Sequence, residues 1–192
     1  RLGSFISSDE PRHSLWRKPV MPGVGGERIA QIEGVIRERV GDILDGLPRN
    51  EEFDWVERVS IELTTQMLAT LFDFPFEERH LLTHWSDMTT ATPAVGAAIM
   101  DDEERRAILR ECGAYFGKLW FERKGKDGFD FLTLMANHPD TQELIEDPNK
   151  LLGNLLLLIV GGNDTTRNSI SGGVLALNEH PDEYRKLRDD PS

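Results

Sequence analysis

Apolar residues recur three and four positions apart through most of this chain, a period that predicts one helix after another. Ile29, Ile32, Ile36, Val40, Ile43 and Leu47 form one such stripe, predicting a helix over 27–47. Its other side carries Arg28, Glu33, Arg37, Glu38 and Arg39, a charged face expected to be solvated. Pro48 to Glu52 reads as a turn. Asp54 with Glu57 reads as an Asp-type capping box for a helix through Val56, Val59, Leu63, Met67 and Leu71, which Phe74-Pro75-Phe76 ends. The next helix is expected from Glu77 to about Thr89. Another starts at Asp101 and Asp102, with Ile108, Cys112, Tyr115 and Leu119 on one stripe. After a charged turn at Lys124 to Gly128, Phe129 to Ala136 gives a short helix that His138-Pro139-Asp140 breaks. No stretch reads as a strand, and the expected fold class is all-α.

One element departs from this amphipathic pattern. Leu151 to Ile170 reads LLGNLLLLIVGGNDTTRNSI, nearly all apolar as far as Val160. Asp147 and Pro148 supply an N-cap and first turn, and Pro181 a stop, before a last helix from Pro181 to Arg188. If helical throughout, the element spans about 32 residues, roughly 48 Å, and a helix apolar all round belongs in the middle of a protein. GGNDTT breaks several local rules there at once. Each interior glycine costs about 1 kcal/mol relative to alanine, and such conflicts gather at functional sites. Leu157, Val160, Gly161, Asp164, Thr165 and Asn168 fall three or four apart and share a face. That face passes from an apolar wall to bare backbone and then to an acid beside an alcohol, groups that can pass protons. The same residues also fit two helices, Gly161 capping the first and Asp164 opening the second.

The charge balance narrows the class of partners. Against 22 basic residues stand 34 acidic ones, a formal −12, which argues against a general nucleic-acid or anionic-membrane surface. No apolar run is long enough to span a bilayer, and no signal peptide is visible. The single Cys112 excludes an internal disulfide framework and points to a reducing compartment, the cytoplasm. The sequence opens on Arg1 and stops at Ser192, which is expected of an internal fragment. His80 and His84 are four apart but have no third ligand, so they read as ordinary surface and core histidines. Residues 90–100, TATPAVGAAIM, are small and uncharged, suiting either a mobile lid over an apolar pocket or a packed crossover.

Near the start, Asp9 and Pro11 open a helix on which His13 and Arg17 stand four apart, two cationic donors suited to a dianionic ligand. Read alone, this is more readily an exposed basic turn on an acidic protein. Asp9-x-Pro11-x-His13-x-x-x-Arg17 resembles the string that opens the haem-propionate helix of cytochromes P-450, and Gly161-Gly162-Asn163-Asp164-Thr165-Thr166 resembles their central-helix signature. Both occur in the family's order. FDWVERVSIELTTQMLATLFDFPFEER further resembles the bacterial alkane-hydroxylating branch.

The resemblance implies the distal helical portion of that fold, residues 1–192 being a partial domain without its N-terminal region and its C-terminal haem-cysteine loop. It implies haem as cofactor, held through propionates by His13 and Arg17, with Gly161 and Gly162 making room for O₂. Thr165 would hydrogen-bond the oxygen species at the iron, Asp164 would relay protons, and Leu157 and Val160 would touch substrate. Electrons would come from a ferredoxin and its reductase, with Arg12 and Lys18 as docking charges. The substrate would be a small aliphatic, a medium-chain n-alkane hydroxylated at its terminal methyl. Cys112 lacks the context of the axial ligand, and Glu103 with Arg106 precedes the central helix, so neither inherits a family role. The axial cysteine, and with it activity, is expected outside this chain. The rival class is a non-catalytic, effector-sensing helical module with an apolar pocket.

Overall fold

The computed structural model describes residues 2–91 and 102–190, and among them there are helices and turns but no strand. In order come α1 (Arg12–Arg17), α2 (Gly26–Asp45), α3 (Glu62–Phe72), α4 (His80–Thr90), α5 (Asp102–Arg123), α6 (Phe131–Asn137), α7 (Pro148–Glu179) and α8 (Pro181–Asp189). The all-α expectation holds, and each predicted helix is present within a few residues of its expected ends. Of the expected apolar connection over 90–100, only Thr90 and Ala91 lie among the described residues, so the lid reading falls outside them, as does Asp101.

Capping chemistry accounts for the boundaries. Asp54 Oδ1 accepts from the Glu57 amide at 3.0 Å, as the sequence suggests. The turns that follow, Val56–Ile61, are π-helical before the chain tightens into α3. Asp73 ends α3 in the left-handed region, φ 46°. Asp130 caps α6 by accepting from Thr133 N at 2.8 Å, and Asp147 caps α7 with Pro148 in its first turn. Arg39 corrects the expectation of a wholly solvated face on α2. Its guanidinium reaches α3, donating to Thr70 Oγ1 at 2.6 Å and to the Gln66 carbonyl. Arg79 ties the start of α4 back to Glu62 at 2.8 Å. Burial pushes the Glu62 carboxyl up, but hydrogen bonds from Gln66 and Arg79 outweigh it and hold it below its ordinary range.

The core is an aromatic cluster where α3 to α6 meet. Phe72 lies 5.5 Å from Phe116 and 5.3 Å from Phe131, and Phe74 stacks on Tyr115 at 5.1 Å and meets Trp85 edge-on at 6.1 Å. Such pairs add about 0.5–1.5 kcal/mol each beyond the area they bury. Against this layer α7 lays Leu151, Leu152, Leu155, Leu156 and Ile159, all buried.

Two close approaches fix α7. A Cβ on Gly153 would lie 2.2 Å from the Gly3 carbonyl oxygen, so the chain before α1 crosses α7 where no side chain fits. The next residue, Asn154, is buried and accepts from the Phe5 amide at 2.9 Å while donating to the Lys150 carbonyl. Further along, a Cβ on Gly162 would lie 2.8 Å from Leu68 Cδ2 of α3. Beside it Asn163, fully buried, meets Thr64 Oγ1 at 2.9 Å. Ser171 then donates to the buried Ser60 at 2.8 Å.

Gly153→Ala should therefore lower stability by about 1–3 kcal/mol through overpacking. Gly34→Ala, on α2 where a Cβ would meet nothing within 4 Å, should instead gain up to about 1 kcal/mol from helix propensity. Equilibrium denaturation of the two variants measures both, and an equal response would contradict the close approach at Gly153.

Candidate functional site

Helix α7 runs without interruption from Pro148 to Glu179, so Gly161 caps nothing and Asp164 opens nothing. The one-helix reading of GGNDTT is the one the structure adopts. Its strain is met on one side: Gly162 and Asn163 face α3, where a missing side chain and a buried amide make the contact. The other side is left for Gly161, Asp164 and Thr165.

That side matches the face expected from helical spacing. Leu157 and Val160 are half-buried, Gly161, Thr165 and Asn168 are exposed, and Asp164 is partly sheltered. From Gly161 onward the described side chains of α7 are mostly open within this chain, Leu175 being 60% exposed. Gly162 does not share the open face with Gly161. It lies about 100° round the helix, against Leu68, whereas a Cβ at Gly161 would meet nothing within 4 Å. Bare backbone faces outward at Gly161 alone of the pair.

Thr165 Oγ1 donates to the Gly161 carbonyl at 2.7 Å. Its one proton is committed there, which leaves lone pairs to accept a hydrogen bond from whatever occupies the open side. Asp164 is not free either. Arg167 Nη2 donates to its Oδ1 at 2.6 Å, and Arg167 Nη1 reaches Asp87 Oδ1 of α4 at 3.1 Å. Sequence reading missed both Arg167 and Asp87. The spacing of Asp164 and Arg167, three apart on a helix, was a usable signal, while Asp87 lies on another element and left none.

His13 and Arg17 stand on α1, which starts after Pro11 rather than at Asp9. His13 Nδ1 lies 3.1 Å from Glu10 Oε1, and Ser14 donates to the same oxygen at 2.7 Å. Hydrogen bonds from Ser14 and then His13 hold the Glu10 carboxyl below its ordinary range. Arg17 is exposed and makes no ion pair or hydrogen bond among the described residues. No direct bond joins α1 to the Asp164 region among those residues; what meets α7 is the segment before it, at Gly3 and Phe5. Asn154, which holds the segment leading to α1, precedes Leu157 by three positions and Gly161 by seven, so it shares their face.

His80 and His84 are both exposed, correcting the expectation that one would be a core residue, and no group of three metal-ligating side chains occurs among the described residues. Arg12 and Lys18 are exposed beside the His13–Arg17 pair, Arg12 lying over Trp16 at 5.6 Å. Glu103 pairs with Arg110 at the exposed start of α5. No described helix is long and apolar enough to cross a membrane.

No family model matches the chain. Among curated proteins it is similar to the linalool 8-monooxygenase of Pseudomonas putida, 34% identical, the match covering 97% of this chain and 46% of that protein. It is also similar to the steroid C26-monooxygenase of Mycobacterium tuberculosis (strain ATCC 25618 / H37Rv), 31% identical over 96% of this chain and 42% of that protein. Among solved structures it resembles cytochrome P450-153 from Novosphingobium aromaticivorans, with a TM-score of 0.87 and 41% identity over 99% of this chain and 45% of that one. CYP153D17 from Sphingomonas sp. PAMC 26605 gives a TM-score of 0.82 and 40% identity over 100% of this chain and 47% of that one. The chain spans less than half the length of each of these proteins.

Cys112, the one cysteine, is buried in the core on α5. Burial pushes its thiol well above the ordinary range, and Glu111 adds to the shift, which disfavours the thiolate. Alkylation with iodoacetamide near pH 8 should leave Cys112 unmodified in the native protein and label it after unfolding in urea, read by peptide mass. Rapid labelling of the native protein would contradict the buried placement.

Proposed function

The chain belongs to the cytochrome P450 family, whose cofactor is haem, and from that premise we propose that the whole protein is a monooxygenase hydroxylating unbranched aliphatic chains. The observation that carries this reading is the open face of α7, where bare backbone at Gly161 adjoins Asp164 and Thr165, and Leu157 and Val160 precede them. A non-catalytic binding module would use the apolar wall but leaves the acid and the alcohol at the glycine without a role. When bound, haem supplies the reductive activation of O₂ that places one oxygen atom in a C–H bond.

This chain's residues do the rest of the work assigned to it. Arg17, exposed and unpaired among the described residues, and His13 on the same helix would hold the two propionate carboxylates. Gly161 lets a planar group approach the helix without a side chain between them. Thr165 Oγ1, its proton given to the Gly161 carbonyl, accepts a hydrogen bond from an O–H group on the open side. Asp164 takes protons from solvent and hands them toward that oxygen. Leu157 and Val160 line the substrate's path with no charge and no donor, so orientation there comes from shape alone. A ferredoxin with its reductase would deliver electrons, and the exposed Arg12 and Lys18 suit docking of an acidic partner.

A medium-chain n-alkane, oxidised at its terminal methyl, is the substrate this reading favours. The uncharged wall and the branch resemblance over Phe53 to Arg79 support it. Each buried methylene is worth about 0.8 kcal/mol, so affinity should rise with chain length until the pocket ends. Terminal C–H bonds are the least reactive, and the pocket must hold the chain end-on to select them. The test gives the haem-loaded whole protein, with a ferredoxin system, a series of n-alkanes beside linalool and a steroid. Terminal alcohols formed fastest from the alkanes are expected. Preferred turnover of linalool or the steroid, or mainly internal alcohols from the alkanes, would reject this substrate class.

A further inference from the structure

Arg167 stands between two carboxylates. It is three residues beyond Asp164 and on the same side of α7, donating to Asp164 Oδ1 at 2.6 Å, and it reaches across to Asp87 Oδ1 of α4 at 3.1 Å. Its side chain is 16% exposed and that of Asp164 20%, whereas Asp87 is 44% exposed. A guanidinium this sheltered cannot leave one carboxylate without taking another or standing unpaired in poor solvent. Asp87 offers it that second seat.

We propose that Arg167 is a positioning residue that aims and restrains Asp164, and that Asp87 takes up the guanidinium when Asp164 is released to move a proton. The inference rests on the proton-relay reading of Asp164. With Oδ1 held by Arg167, only the second oxygen of Asp164 is free to meet a water on the open side. Transfer of the guanidinium to Asp87 frees both oxygens without leaving a buried cation unpaired. Because Asp87 belongs to α4, the placement of that helix against α7 also governs how tightly the acid is held. The same end of α4 is pinned to α5, Arg105 Nη2 donating to the Thr89 carbonyl at 2.6 Å.

The test is a mutant cycle in the haem-loaded whole protein with Asp164→Asn, Arg167→Gln, Arg167→Lys and Asp87→Asn. Product formed per reducing equivalent and the solvent deuterium isotope effect on kcat are read beside substrate KM, and hydrogen exchange is followed at the amides of Met88 to Thr90. Arg167→Gln and Asp87→Asn should each lower product per reducing equivalent by roughly 3- to 10-fold, a part of the ~10²-fold or more that a positioned acid–base group supplies. The isotope effect should rise, KM should stay put, and Arg167→Lys should recover part of the loss. Asp87→Asn, half-exposed and mild, should also speed exchange at the end of α4.

In the Asp164→Asn background the Arg167 and Asp87 substitutions should have no further effect on product yield. If Asp164→Asn is costly but Arg167→Gln costs as much with it as without it, the relay stands and the positioning role is overturned. If Asp164→Asn changes nothing, the relay reading itself fails and the positioning role falls with it. Unchanged exchange at Met88 to Thr90 in Asp87→Asn would overturn the bridge to α4.

Discussion

Where α7 lies is decided by places at which a single extra carbon would not fit. The Gly3 carbonyl occupies the space of a Gly153 side chain and Leu68 that of a Gly162 side chain. The two glycines are nine residues apart, about half a turn from facing alike, so the helix is gripped from opposite sides. A buried amide accompanies each contact, Asn154 to the Phe5 backbone and Asn163 to Thr64. In each the amide oxygen accepts, and a buried acceptor left without a partner costs about 1–3 kcal/mol, so rotating α7 about its axis is opposed by packing and polar pairing together. The face bearing Gly161, Asp164 and Thr165 is outward because the neighbouring residues are committed inward.

The same contacts relate the two parts of the candidate site. Gly3 and Phe5 cross α7 immediately before the chain turns into α1, so the His13–Arg17 pair is carried by a segment whose register α7 sets. The aromatic cluster of Phe72, Phe74, Trp85, Phe116 and Phe131 then holds α3 and α4 as a backing layer. From that layer come the groups that touch the back and edge of the signature: Thr64, Leu68 and Asp87.

Much of this was legible in the residues themselves. The limits of α7 followed from Asp147, Pro148 and Pro181, whose backbone chemistry is local, and the shared face followed from helical spacing. The GGNDTT break of local rules marked the place where function gathers. What the sequence left open was tertiary. Two adjacent glycines look alike on paper, yet Gly161 faces open space and Gly162 faces Leu68, a difference only the neighbouring helix decides. Arg39 and Arg167 look like surface charge until partners on α3 and α4 are placed beside them. The inward turn of Asn163 depends on Thr64, ninety-nine residues away, and no local pattern announces it. The π-helical turns at Val56–Ile61 were likewise hidden, because the apolar stripe there is also compatible with an α-helix.

If the outward face of α7 carries the chemistry, adjacent threonines of the signature must differ in consequence. Thr165 shares the face of Gly161 and bonds to its carbonyl, while Thr166 lies about 100° round the helix. Both are exposed in the chain, so a difference in burial does not separate them. The deciding measurement is product formed per reducing equivalent in the haem-loaded whole protein, for Thr165→Ala against Thr166→Ala. Thr165→Ala should retain haem and substrate binding but divert electrons to peroxide, with Thr166→Ala close to the unmodified protein. Unchanged product yield in Thr165→Ala, or an equal loss in both variants, would contradict the assignment of that face.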